Sequence, residues 1–207
     1  MSVTIKGADI LSNKFNDIFM SNHLINQYCN DVKKRFSFDI EGCGSPYYEG
    51  EDMDEEELEY RPDYVEACFE IVKKVWGKCN FSNDLTVIYE DKYNCAQKGE
   101  KDFIESCCGV SSCIARLFEW DGEDEKYIGK RYIWMTQKID IESLFRKIIL
   151  SDIGENTELD CAVYIIDNDS ENVFFLNDDR GLDVYSNDEA YIFPSILRRF
   201  ACSTNIL

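Results

Sequence analysis

Asp178, Asp179, Arg180 and Asp183 set three carboxylates beside one guanidinium in the run NDDRGLD. Hard oxygens this close could bind a divalent cation or grip a basic partner. The same residue types are those a tight turn favours, and Arg180 can pair internally with an aspartate to hold such a turn, which is the preferred reading. Asp167, Asp169 and Glu171 alternate as ligands of a calcium loop do. Asn172 stands where the loop needs glycine, and no closing glutamate follows at the required distance, so a plain hairpin turn is expected.

Ten cysteines offer a second chemistry (Cys29, Cys43, Cys68, Cys79, Cys95, Cys107, Cys108, Cys113, Cys161 and Cys202). Cys107, Cys108 and Cys113, with Cys95, contain no Cys-x-x-Cys pair, and the one histidine, His23, is far away in sequence. That argues against zinc and against a Cys-His nucleophile. The N-terminal MSVTIKGADILSNKF lacks an apolar h-region, so reduced thiols in a cytoplasmic protein are expected. Cys68 on an apolar helix face and Cys161 in an apolar run read as small hydrophobes. No apolar run approaches the roughly 20 residues of a membrane span. The chain carries no Gly-rich phosphate loop, no Gly-x-Ser-x-Gly elbow and no His-Glu-x-x-His, and no carboxylate pair stands out for acid-base work. No catalytic residue, metal or cofactor is expected.

The strongest signal is charge. Forty-one Asp and Glu against 22 Lys and Arg give a formal net charge of -19, where a small domain carries a magnitude of about 2 to 8. Such a field repels itself, and a basic partner or a bound cation would relieve it. It argues against nucleic-acid or anionic-membrane binding, both of which need a basic face. Acids concentrate in three segments. Eight of the eleven residues from Glu49 to Glu59 are acidic, among them Glu51, Asp52, Asp54, Glu55, Glu56 and Glu57, and this block reads as a flexible solvated loop. The second is DGEDE, with Asp121, Glu123, Asp124 and Glu125, and the third is the Asp178 to Asp183 turn. These are the expected contact surfaces of an acidic protein that neutralises a basic partner, in the manner of an immunity protein against a nuclease-like toxin. A nuclease needs a cationic cleft for phosphates, and carboxylates can stand in for them. Two alternatives remain open, a magnesium- or calcium-dependent enzyme built on Asp178, Asp179 and Asp183, and a DNA mimic that blocks a DNA-binding enzyme.

The elements that must position these residues read as a single α+β domain over 1–207. Ile10, Leu11, Phe15, Ile18 and Phe19 predict an amphipathic helix over 9–22, and KKRFSFDIEG a strand ending near Gly42 and Gly44. Pro62 suits the first turn of a helix that buries Val65, Cys68, Phe69, Val72, Val75 and Trp76 and stops at Gly77. Leu85 to Tyr89 is a short strand, and Lys98 to Cys107 could be helix or loop. Cys113 to Trp120 and Tyr127 to Thr136 flank DGEDE as a hairpin. Asp140 caps a helix through Ile149, with Arg146 and Lys147 near its carbonyl end. Leu159 to Ile166 and Val173 to Leu176 form a second hairpin whose first strand is buried on both faces. A short Leu182 to Tyr185 strand follows, and Asn187 to Phe200 is a helix kinked by Pro194. Paired strands with helices clustered around them favour a mainly antiparallel sheet packed against helices.

The segment FFLNDDRGLDVYSND resembles the signature of an uncharacterised bacterial family, domain of unknown function 3885. Arg35 and Phe36 of RFSFDIEG, the tyrosine-opened YRPDYVEACFEIV, Trp134, and then Asp152, Ile153 and Gly154 are similar to the family's remaining pieces, in order. The resemblance covers about residues 15 to 190, with DDRGLDV its distinctive part. The family's closing helix bears tyrosine and tryptophan, whereas this chain reads YIFPSILRRFACSTNIL without tryptophan. The resemblance implies a common fold and carries no activity.

Overall fold

The computed structural model describes residues 22–40, 45–48, 61–151, 159 and 162–187. Within them the order is α1 (Ile25–Val32), β1 (Lys34–Asp39), α2 (Pro62–Cys79), β2 (Leu85–Asp91), α3 (Lys98–Cys108), β3 (Ile114–Asp121), β4 (Lys126–Thr136), α4 (Ile141–Ser151), β5 (Ala162–Asp167), β6 (Val173–Leu176) and β7 (Gly181–Ser186).

Pro62 opens α2, with Asp63 at its positive end. Val65, Cys68, Phe69, Val72 and Val75 bury, as the spacing predicts. Gly77 does not stop this helix. It lies in open space inside the last turn, and the stop is Asn80, in the left-handed region at φ 47°, which asparagine tolerates. Lys98–Cys108, undecided in the sequence, is helical and buries Ile104, Cys107 and Cys108 at i, i+3 and i+4.

Asp140 caps α4 as expected. The Ser143 N–H donates to its Oδ1 at 3.1 Å and the Ser143 hydroxyl to its Oδ2 at 2.7 Å. Those bonds, the hydroxyl's first, hold the Asp140 carboxyl below the usual range. Arg146 and Lys147 do not serve the carbonyl end, because the helix continues to Ser151. Arg146 instead lies 2.7 Å from Glu66 and 3.3 Å from Glu142, with its guanidinium 4.1 Å over the Phe69 ring, and so clamps α4 to α2.

The strands form one seven-stranded sheet in the order β1-β7-β6-β5-β2-β4-β3, and every neighbouring pair is antiparallel. The chain is therefore an α+β protein with an antiparallel sheet against helices. Both expected hairpins are present, β3-β4 and β5-β6, and β5 is central and buried on both faces. β2 runs past Tyr89 to Asp91 and is buried throughout. Glu90 and Asp91 look like loop residues in sequence, which is why the strand reads short.

The two faces differ. On one, Val87, Tyr89, Trp134, Val163, Ile165, Phe174 and Val184 pack under α2, α3 and α4. There Trp76 meets Phe81, Phe174 and Phe145 edge-on at 4.7, 5.2 and 5.6 Å. On the other, Ile88, Ile133, Tyr164, Ile166, Val173 and Tyr185 pack against Ile25 and Cys29 of α1. Ile25, Tyr28, Cys29 and Val32 of α1 recur at i, i+3, i+4 and i+7, a helical signal that is easily passed over because the segment is only eight residues long and rich in Asn and Asp. His23 lies just before α1. The helices expected over 9–22 and 187–200 fall outside the described residues but for Asn22 and Asn187, as do Gly42, Gly44 and Asp152 to Gly154.

Candidate functional site

Two of the three acidic segments expected to meet a partner lie within the described residues, and they use their carboxylates in opposite ways. The block containing Glu51, Asp52, Asp54, Glu55, Glu56 and Glu57 lies outside those residues.

The β3-β4 turn is closed by Gly122 N–H donating to the Glu125 carbonyl at 2.9 Å. Two glycines let aromatic rings lie directly on the backbone. A Cβ on Gly122 would come within 2.4 Å of the Tyr127 ring, and one on Gly129 within 2.6 Å of the Phe118 ring. Trp120, opposite Tyr127 in the ladder, stacks on it at 4.9 Å, and Tyr93 from the β2-α3 connection closes the group at 5.4 Å from Tyr127 and 5.8 Å from Trp120. The Trp120 indole N–H donates to the Lys92 carbonyl at 2.8 Å. On this aromatic platform Asp121, Glu123, Asp124 and Glu125 are all exposed. Lys126 lies 3.7 Å from Asp121, but both side chains are largely in water, where such a pair contributes about 0 to 1 kcal/mol. A hydrogen bond to Glu125 pushes the Tyr127 phenol up.

The Asp178 to Asp183 turn looks inward. Asp178 Oδ1 accepts the backbone N–H groups of Arg180 and Gly181 at 2.8 and 3.0 Å, and its Oδ2 accepts Arg180 Nη2 at 3.2 Å. Asp179 is 3% exposed, and its Oδ2 accepts the Tyr64 hydroxyl at 2.8 Å. Burial first, and that carboxylate second, push the Tyr64 phenol well up. Asp183 is 2% exposed and belongs to β7, where its Oδ1 accepts Ser37 Oγ at 2.6 Å and its Oδ2 lies 2.9 Å from Arg35 Nη2. Asp178 and Asp179 share Arg180, at 3.2 and 3.6 Å, while Asp183 faces away toward β1, and the turn reading of this segment matches the geometry. Among the described residues no three His, Cys, Asp or Glu side chains gather where they could hold a metal ion. Of the residues expected to meet a partner here, Asp178 and Arg180 reach solvent, while Asp179 and Asp183 are buried.

Asp167 likewise belongs to its turn, not to a calcium loop. Its carboxylate accepts Ser82 Oγ at 2.6 Å, Ser170 Oγ at 2.7 Å and the Asp169 N–H at 3.1 Å. Burial pushes its carboxyl up, and these donors together outweigh that and leave it below the ordinary range.

Sequence reasoning missed the internal ion pair beneath α1. Glu90 and Arg131 face each other across β2 and β4, both fully buried and 2.8 Å apart. The Ile25 N–H, at the start of α1, donates to both Glu90 oxygens at 3.2 Å, while Arg131 also donates to the His23 carbonyl and lies 3.9 Å over the Phe118 ring. Burial pushes the Glu90 carboxyl up against the pull of Arg131. In sequence each charge stands beside a like one, Glu90 before Asp91 and Arg131 after Lys130, so neither announces its burial. Buried charges of this kind need partners.

Burial disfavours thiolate chemistry at four of the described cysteines. Cys29, Cys79 and Cys108 are pushed up to about 12 and Cys107 to about 11 by burial, which suppresses the reactive thiolate. A groove of about 740 Å³ runs beside Cys107, Val110, Met135, Thr136, Lys138 and Asp140. The single Thr136 hydroxyl hydrogen within it is shared between the Cys108 and Lys138 carbonyls, each 2.7 Å away.

Charge divides unevenly along the chain. The described residues hold 24 Asp and Glu against 18 Lys and Arg, so they account for 6 of the 19 surplus negative charges. The framework is close to balanced, and its exposed surplus concentrates at the β3-β4 turn. No described helix is long and apolar enough to cross a membrane. A family model described as "Domain of unknown function (DUF3885)" matches residues 8–197, and the chain belongs to that family. No curated protein and no solved structure matches it.

Proposed function

Starting from a family whose description names no activity, we propose that this chain is an acidic binding protein that neutralises a basic partner, and that the partner is a toxin of the nuclease class. The observation that carries the reading is the exposed β3-β4 turn, with its four carboxylates Asp121, Glu123, Asp124 and Glu125 held on an aromatic platform. Carboxylates fixed in space can occupy sites built for phosphates, and their field raises the association rate. Tyr and Trp beside them are the residue types that dominate binding energy at interfaces. The Glu51 to Glu57 block would extend the same field. Asp178 and Arg180 contribute only at the margin.

Affinity purification from the native cell at low salt tests the reading. One basic protein should elute in stoichiometric amount, its association should slow steeply as salt rises, and the variant D121N/E123Q/D124N/E125Q should lose it. A nuclease in the eluate fixes the class, and a host DNA-binding enzyme there would move the reading to DNA mimicry. Absence of any basic protein, or an association rate indifferent to ionic strength, overturns it.

A further inference from the structure

Among the described residues β3 is the edge strand beside β4, with eight residues and no proline. Edge strands that must not pair are usually shortened, bulged or charged. β3 carries charge at Arg116, Glu119 and Asp121, yet it leaves Leu117 58% exposed beside Lys130 of β4, and Ile128, diagonal to Leu117 on the same face, 56% exposed. Along that face the next residues of β3 toward the turn are Glu119 and Asp121, both exposed. The edge therefore offers an apolar position followed by two carboxylates at the period of a strand, leading into Glu123, Asp124 and Glu125.

We infer that β3 accepts an eighth strand, an extended protein segment with an apolar residue opposite Leu117 and Lys or Arg at the alternate positions opposite Glu119 and Asp121. Main-chain hydrogen bonds would supply affinity, and the alternating side chains specificity. The inference rests on the neutraliser reading and adds to it how the partner attaches. Charge complementarity selects such a segment over a second copy of this chain, because each copy carries a net charge of -19 and would repel the other.

The test uses the full chain and a synthetic peptide with lysine at two alternate positions and valine or threonine elsewhere. A control carries the same side chains with alternate backbone nitrogens methylated, which keeps the charge and removes strand donors. The unmodified peptide should bind about tenfold tighter than the control and should slow hydrogen exchange of the amides across Ile114–Asp121. Leu117→Glu should weaken binding under strand addition, whereas attraction by charge alone would strengthen it. Equal binding of the two peptides, stronger binding by L117E, or protection confined to residues 122–125 would overturn the inference and leave the neutraliser reading standing. A dimer of the free chain with protected β3 amides would assign the edge to a second copy and also overturn it. The neutraliser reading falls on the salt-dependent co-purification alone, whatever the β3 amides show.

Discussion

The β3-β4 turn and the Asp178 to Asp183 turn are both acidic and both follow an aromatic-rich strand, yet one spends its carboxylates on the fold and the other presents them to water. The difference arises from which backbone needs a partner. Asp178 satisfies two N–H groups and Asp183 answers an arginine and a serine on the neighbouring strand. The β3-β4 turn closes on its own backbone, and rings over Gly122 and Gly129 hold it, so its four acids stay exposed even where Asp121 lies near Lys126 and Glu125 accepts the Tyr127 hydroxyl. Acidity in a turn therefore says little until the donors around it are known.

Substitutions that break this contrast should separate stability from binding. The largest effect is expected at the Glu90–Arg131 pair, where Arg131→Ala strands a buried carboxylate. Urea unfolding should show a loss of about 3 to 5 kcal/mol, and the double change E90L/R131M should recover most of it. Asp183→Asn should cost about 1 to 3 kcal/mol, toward the lower end because Arg35 is half in water. Asp167 gives a pH signature. Its folded-state carboxyl lies below the unfolded value, so its contribution is present above about pH 4 and is lost as pH falls through the folded value. Asp167→Asn should therefore flatten the acid limb of the stability curve measured by thermal melting. The smallest stability effect belongs to D121N/E123Q/D124N/E125Q, which should shift unfolding by no more than about 0.5 kcal/mol while abolishing partner capture. An unchanged partner affinity in that variant would erase the contrast altogether.

Much of the framework was legible from periodicity. The α2 and α4 faces, both hairpins and the central buried strand stand in the positions their apolar spacing predicts, because burial imposes that spacing. Boundaries failed where a polar residue is used inside the fold. Glu90 and Asp91 looked like a strand end and are buried strand, and Gly77 looked like a helix stop while Asn80 takes the left-handed position. The turn role of Asp178 was legible because turn chemistry is local. The Arg35–Asp183 and Glu90–Arg131 pairs were not, since each joins residues brought together only by sheet pairing. The aromatic platform was visible as residue types, Tyr93, Trp120 and Tyr127, but not as a group, because Tyr93 arrives from a different connection.

Stacking of Trp120 on Tyr127 gives the molecule an internal reporter. Of its three tryptophans, Trp134 is fully buried and Trp76 is half-buried on α2 against Phe81, Phe145 and Phe174, so neither should sense a visitor at the acidic turn. Emission from Trp120 alone should shift when a cationic chain settles there, and in a Trp120→Phe variant that optical response should vanish with the fold intact.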